Sequence, residues 1–381
     1  AWLQHLRAHG AGGVLADDMG LGKTLQTIAH IVAEKEGGRL QQGCLVVTLT
    51  SVICNWEREI AKFAPDLRVL NLRGARREEK LGQLSQYDVV LSTYPLVLRD
   101  QDTLAAHPFS MIVLDEAHAI KNAHAQIHDA VARLSADHRV CLSGTPVENH
   151  LGELWSLFQF LMPGMLGSAD EFRDHFRQPI EVHGDKNRMI ALRDRVRPYI
   201  LRRTKDTVAR DLPAKTEIVR AVELKDTQRD LYESIRVAAH ADVRAQIKQR
   251  GFAGSQIAIL DALLKLRQVC CDPRLVASET AREVGASAKL DLLLDMLKTQ
   301  LAEGHRILVF SQFARMLGHI SEACLAEGIG HVTLTGQTPD RQKPIDAFES
   351  GRANVFLISL RAGGTGLNLT SADTVIHYDP W

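Results

Sequence analysis

The chain has 381 residues, 45% of them hydrophobic and 24% charged, and its 46 Lys+Arg balance 46 Asp+Glu to a formal net charge of zero. These proportions are those of an ordinary globular protein and exclude disordered and fibrous classes, while the length suits two or three domains of roughly 150 residues. No apolar run approaches the ~18 residues of a membrane span, no signal-peptide pattern opens the chain, and the zero total gives no hint of a nucleic-acid partner.

Residues 1–165 hold 15 basic and 18 acidic side chains and alternate short β-rich runs with helical stretches. Strand candidates are 13–16, 44–49, 87–93, 111–114 and 139–142. Continuous apolar runs between helices read as buried parallel strands, hence a doubly wound α/β layer. From about 150 to 285 the pattern turns helical and basic, and residues 166–285 carry 23 bases against 18 acids. The excess concentrates in 188–215, where nine bases (Arg188, Arg193, Arg195, Arg197, Arg202, Arg203, Lys205, Arg210, Lys215) face three acids. Alone, such a run reads as a solvated face. Thr227, with Asp230 three residues on, has capping-box spacing and predicts a helix start running on through Leu231 and Ile235.

After Ser287 the α/β alternation returns. Leu290, Leu293, Leu294, Leu297 and Leu301 form one helical stripe, which Gly304 stops. Strand candidates 307–310, 332–335, 355–359 and 374–378 follow. The expected architecture is therefore α/β, with lobes at 1–150 and 286–381 and a helical, basic region at 151–285 between them. Six cysteines without a CxxC pair read as reduced, mostly buried thiols. His124 and His128 stand at helical spacing without a third ligand, and read as surface residues rather than metal ligands.

Two segments carry chemistry. The run Asp17-Asp18-Met19-Gly20-Leu21-Gly22-Lys23-Thr24 follows a strand and opens an amphipathic helix. Phosphates need backbone N–H groups at close range, which Gly20 and Gly22 permit, and the helix N-terminus adds its dipole. Lys23 would reach the β/γ-phosphates and the Thr24 hydroxyl would ligate Mg²⁺. The strict phosphate-loop pattern is not met, because Asp17 stands where its first glycine belongs. The second segment is an apolar strand that delivers Asp115-Glu116-Ala117-His118. Asp115 would hold the metal and Glu116 would polarise an attacking water.

Together these segments resemble the superfamily 2 helicase-like motor ATPases. The Asp17–Thr24 run is similar to the first motif of the Snf2 (SWI2/SNF2) family, with Asp18 in place of a Glu. The resemblance continues in order. Thr50-Ser51-Val52 with Asn55-Trp56 looks like motif Ia, Ser92-Thr93-Tyr94 like Ib, and Ser143-Gly144-Thr145-Pro146 like III. Leu201-Arg202-Arg203-Thr204-Lys205 resembles the inter-lobe segment, Ser311-Gln312 motif IV, and Gly363-Gly364-Thr365-Gly366-Leu367-Asn368 motif V.

The resemblance implies two RecA-like lobes, ATP with Mg²⁺, and a monomeric motor that moves along double-stranded DNA and remodels a DNA-bound protein without separating strands. It places His118, Ser143, Gly144 and Thr145 in coupling. It implies DNA contacts at Thr50, Ser51, Asn55, Ser92, Thr93, Arg202, Arg203, Lys205, Ser311, Gln312, Gly363, Gly364, Thr365, Gly366 and Asn368. Trp56 and Trp155 read as core or interface aromatics. A cytoplasmic or nucleoid location in a prokaryote, or a nuclear one in a eukaryote, follows from such a partner, and secretion does not. Two rivals stand beside this reading: a strand-separating helicase, and a nucleotide- and DNA-binding module with little hydrolysis. The second follows because the chain ends at Trp381, before the family's motif VI arginines, so this stretch is expected to bind nucleotide and hydrolyse it poorly.

Overall fold

The structure, a computed structural model, describes residues 1–380 except 75–76, 123–125, 145–149, 209–215, 279–280, 282–283, 286, 364–366 and 368. Tertiary contacts divide the chain into two compact units, residues 1–214 and 215–381.

The first unit is built on seven strands: β1 (Gly13–Leu15), β2 (Cys44–Thr48), β3 (Val69–Asn71), β4 (Val89–Thr93), β5 (Phe109–Leu114), β6 (Ala136–Leu142) and β7 (Ile200–Leu201). They lie in the order β3-β4-β2-β5-β6-β1-β7, and every pairing is parallel. Successive side chains point to opposite faces of a strand. Val14, Leu45, Val47, Val90, Ile112, Leu114 and Cys141 accordingly pack in one apolar layer. Leu15, Val46, Val89, Leu91, Val113, Val140 and Leu142 pack in the other. Both faces are covered, which is why these strands read as unbroken apolar runs. Each fully buried Val, Leu or Ile contributes roughly 1.5–3 kcal/mol.

The second unit has a four-stranded sheet, β8 (Ile307–Ser311), β9 (His331–Leu334), β10 (Val355–Ser359) and β11 (Thr374–His377). Its order is β11-β8-β10-β9, again all parallel. The leucine stripe forms the helix Ala288–Ala302, whose N-cap Ser287 accepts a hydrogen bond from the Leu290 amide. Leu290, Leu293 and Leu297 are buried against β8 and β10 residues.

The middle region does not form a body of its own. The helix Leu151–Leu161 packs on β6, and its Leu154 and Phe158 share a small core with Phe172, Leu192 and Val196. β7 then joins the first sheet at its edge. The helices Asp226–Gly254 and Gln256–Cys271 belong instead to the second unit. The expected capping box at Thr227 is not formed: the N-cap is Lys225, two residues earlier and in an extended conformation. Thr227 thus lies inside the first turn, where its backbone is already helical. Four of the six cysteines are buried and all six are free, as the composition suggested. No helix among the described residues is long and apolar enough to cross a membrane.

Candidate functional site

The glycine loop leaves β1 at its carboxyl end, and the helix Lys23–Glu36 starts immediately after it. Gly20 (φ 87°) and Gly22 (φ 71°, the N-cap) both lie in the left-handed region, where a side chain is strained. A glycine N-cap brings no side chain to the first-turn N–H groups, which stay available to an anion. Lys23 folds back, its Nζ donating to the Asp17 carbonyl at 2.7 Å and the Asp18 carbonyl at 3.3 Å. Burial lowers its pKa from the ordinary lysine value, and the charges of Glu116, Asp115, Asp17 and Asp18 oppose that shift.

The departure at Asp17 now has a cause. Its side chain is fully buried and faces the 201–205 segment rather than the loop mouth. Asp17 Oδ1 accepts from the Arg203 amide at 3.0 Å and from Arg203 Nε at 3.0 Å, and the guanidinium's second nitrogen bonds Oδ2. Burial alone would raise the Asp17 pKa; these bonds from Arg203, helped by Gln26, hold it below the ordinary value.

β5 ends at Leu114 and hands Asp115 and Glu116 to the same edge of the sheet. Between β1 and β5 lies β6, with Leu142 level with Leu15 and Cys141 with Leu114. Ser143 and Gly144 therefore emerge between the glycine loop and the acidic pair. The Ser143 amide donates to the Leu15 carbonyl at 3.2 Å, and Met19 of the loop leans over Gly144, its Cγ 3.6 Å from where a Cβ would stand. Thr145 lies outside the described residues.

Asp115 is held rigidly. Oδ2 accepts from Trp56 Nε1 at 2.8 Å and from Thr48 Oγ1 at 3.1 Å, and Oδ1 accepts from the Glu116 amide at 2.9 Å. All three donors are neutral, so burial dominates and raises the Asp115 pKa above the ordinary carboxylate value. A buried carboxylate bonded only by neutral donors fits a divalent cation, and the Thr24 hydroxyl, on the first turn of the loop helix, would be a second hard oxygen of the kind Mg²⁺ takes. Tyr94 fixes the turn by donating its hydroxyl to the Asp115 carbonyl at 2.7 Å. Glu116 has φ 49°, a left-handed conformation costing on the order of 1–3 kcal/mol outside glycine. His118 Nδ1 stands 3.3 Å from Glu116 Oε2. Thr48 was not legible as a site residue, and Trp56 and Tyr94, although inside the stretches that resemble motifs Ia and Ib, were not read as partners of Asp115. Only their side-chain bonds to that residue reveal them, and no local spacing encodes such bonds. Behind His118, a cavity of about 630 Å³ is lined by Lys121, Glu153 and Trp155 among others.

The expected DNA-contacting residues fall into three groups. Thr50 and Arg202 are exposed, Ser51 and Asn55 half-buried, and Asn55 Nδ2 donates to Glu59 at 2.9 Å. Ser92, Thr93 and Ser311 are buried and present no side chain to a ligand surface. Thr93 caps the helix Tyr94–Arg99, and Ser311 donates to Asp379 at 3.0 Å, while the Gln312 amide donates to the same carboxylate. Arg203 is taken up by Asp17, and Lys205 lies over the glycine loop. Gly363 is a packing glycine, since a Cβ there would meet Phe310 at 2.6 Å. Gly364, Thr365, Gly366 and Asn368 lie outside the described residues, as does His124. His128 is not a surface residue: its ring is buried and stacks on Trp155 at 6.4 Å between centroids.

A glycine loop and an acidic strand end, set across the switch in strand order of a parallel sheet, define a P-loop nucleotide-binding lobe. Comparison with known proteins agrees. An SNF2-related domain matches residues 1–275 and a helicase conserved C-terminal domain matches 288–381. The chain is 38% identical over 390 residues to the putative ATP-dependent helicase/translocase YwqA of Bacillus subtilis, covering all of this chain and 42% of that protein. It is 34% identical over 397 residues to the mouse SWI/SNF-related matrix-associated actin-dependent regulator of chromatin subfamily A member 1, covering 99% of this chain and 37% of that one. The Sulfolobus solfataricus SWI2/SNF2 ATPase core in complex with dsDNA is 35% identical at a TM-score of 0.55, over 100% of this chain and 80% of its own. This chain belongs to the Snf2 (SWI2/SNF2) family. It spans about two-fifths of the length of those two sequence relatives.

Proposed function

We propose that the protein is a DNA-dependent ATPase that moves along double-stranded DNA without separating its strands and displaces or remodels protein bound there. The observation that carries the reading is the convergence of Lys23, Asp115, Glu116 and Ser143-Gly144 on one sheet edge. Its support from outside is family membership, relatives named as translocase and chromatin regulator, and a similar core solved with dsDNA.

In this reading Lys23 exchanges its two carbonyl acceptors for phosphate oxygens, and the first-turn amides and Gly20 and Gly22 admit the phosphates closely. Thr24 and Asp115 hold Mg²⁺, which neutralises charge on the phosphates. Glu116 orients and polarises the attacking water, with His118 beside it. Ser143-Gly144, between loop and acid, registers the phosphate state. Thr50, Ser51, Asn55 and Arg202 contact the duplex backbone, which positions a protein without reading sequence. The protein works as a monomer, in nucleoid or nucleus.

The test is ATP turnover by the full-length protein with duplex or single-stranded DNA, and with Lys23→Ala. Duplex is expected to stimulate turnover, single strands much less, and Lys23→Ala to reduce it to background. Triplex displacement should occur without unwinding of a forked duplex. Stimulation by neither DNA removes the reading, and fork unwinding without triplex displacement makes the protein a helicase.

A further inference from the structure

The basic 201–205 segment lies against the glycine loop as a continuation of the sheet. β7 pairs with β1 at Val14 and Leu15. Beyond it the ladder goes on: the Ala16 amide donates to the Leu201 carbonyl at 2.7 Å and the Asp18 amide to the Arg203 carbonyl at 3.0 Å. The Arg203 side chain bonds the buried Asp17 carboxylate and also Gln26 Oε1 at 2.5 Å, on the first turn of the loop helix. The Lys205 amide then donates to Asp18 Oδ2 at 3.1 Å. Residues on both sides of the loop's start are thereby fixed to this segment.

The consequence is the placement of one side chain. Lys205 Cε lies 3.5 Å and Nζ 3.6 Å from where a Gly20 Cβ would stand. The Lys205 ammonium makes no ion pair among the described residues, although Asp18 is adjacent. Lys205 is exposed, yet the backbone and guanidinium bonds of its segment carry it to a position above the loop glycine. Lys23, the loop's own lysine, is by contrast bonded to two carbonyls.

We propose that Lys205 is a second phosphate-facing cation of the nucleotide site, a positioning residue delivered to the loop by the 201–205 segment and latched there by Arg203–Asp17. The proposal rests on the reading that the loop binds a nucleoside triphosphate. It moves Lys205 from the DNA contacts to the ATP site, and it makes the basic segment responsive to bound phosphate. A point charge at the loop favours the more highly charged nucleotide, so discrimination between ATP and ADP is where it acts.

The experiment measures equilibrium binding of a fluorescent non-hydrolysable ATP analogue, of ADP and of a DNA duplex across salt concentrations. It uses the full-length protein and its Lys205→Gln, Lys205→Arg and Lys23→Ala variants. Lys205→Gln is expected to weaken the triphosphate about tenfold, ADP less, and to leave duplex affinity and its salt slope unchanged, with Lys205→Arg restoring most of the loss. Unchanged triphosphate affinity with a duplex salt slope reduced by about 0.9 assigns Lys205 to DNA and overturns the proposal; so does no change in either. If Lys23→Ala also leaves triphosphate binding intact, the nucleotide-site reading itself has failed. Loss at Lys23 without loss at Lys205 sinks only this inference.

Discussion

Trp56 shows how one side chain sets the state of the acidic strand end from a neighbouring helix. Its Nε1–H is one of three neutral donors to Asp115, and both residues are buried. Each such bond favours the ionised carboxylate against the burial that raises its pKa. Trp56→Phe keeps the ring and removes the donor. We expect the Asp115 pKa to rise further, so that the acid limb of the ATPase pH profile moves to higher pH. If Asp115 holds Mg²⁺ as proposed, the apparent Mg²⁺ affinity should weaken about 10-fold, the low end for a residue behind a metal ligand, with a stability loss of about 1–3 kcal/mol. An unchanged acid limb and Mg²⁺ dependence would reduce Trp56 to core packing. The acidic pair itself was legible, because an apolar strand ending in Asp-Glu is a local pattern. Trp56 was not, since it lies 59 residues away and only the packing of helix Ile53–Phe63 on the sheet brings it to Asp115.

At the scale of elements, the strands were legible wherever they were central and buried on both faces. β3 and β7, three and two residues long at opposite edges of the sheet, were not, because an edge strand of that length has no pattern to read. The helix Lys23–Glu36 is less simple than its apolar stripe suggested. On its inner side His30 meets His138 of β6 edge to face at 5.2 Å, and Gln4 bonds His30 Nδ1 at 2.8 Å. Glu34 receives Arg39 in two bonds, at 2.9 and 3.0 Å, and Arg7 at 3.4 Å. Burial is the main cause that lowers the His30 pKa to about 4 and the His138 pKa to about 3. Burial would raise Glu34, but Arg39 and His30 outweigh it and bring the value to about 2.

The sign of the linkage separates these groups. Unfolded histidines take up protons near pH 6.5 while the folded ones stay neutral, so the unfolded state binds more protons as pH falls below 6.5. Stability is therefore lost from pH 6.5 down to about 4 for His30 and about 3 for His138, by up to about 1.4 kcal/mol per pH unit for each histidine. The Glu34 contribution is present above its unfolded value of 4.5 and goes only as pH drops from there toward 2. Denaturant unfolding from pH 7 to 4.5 should show this loss, and His138→Leu should roughly halve its slope. A slope indifferent to that substitution would place the titration elsewhere.

For the whole molecule, a net charge of zero says little about DNA, because the charges are unevenly placed and many are already engaged. Within the basic 188–215 stretch, Arg193 pairs with Asp194 at 3.0 Å, Arg203 pairs with Asp17, and Lys205 stands over Gly20. Counting charges along the sequence could not separate these from Arg202, which is exposed. The two arginines, adjacent in sequence, should consequently behave in opposite ways. Arg202→Ala should weaken duplex binding and reduce the salt slope by about 0.9, the value of one released counterion, with no effect on unfolding. Arg203→Ala leaves the buried Asp17 carboxylate without its partner, which costs about 3–5 kcal/mol in a fully buried pair. With the Arg203 side chain 38% exposed, water can replace part of the guanidinium, and about 2 kcal/mol is the better expectation. Adding Asp17→Asn should recover part of that loss, because the orphaned charge is then gone. Measuring both variants by thermal unfolding and by duplex binding at several salt concentrations decides the matter: if both arginines change only the salt slope, the latch between the 201–205 segment and the glycine loop does not exist in solution.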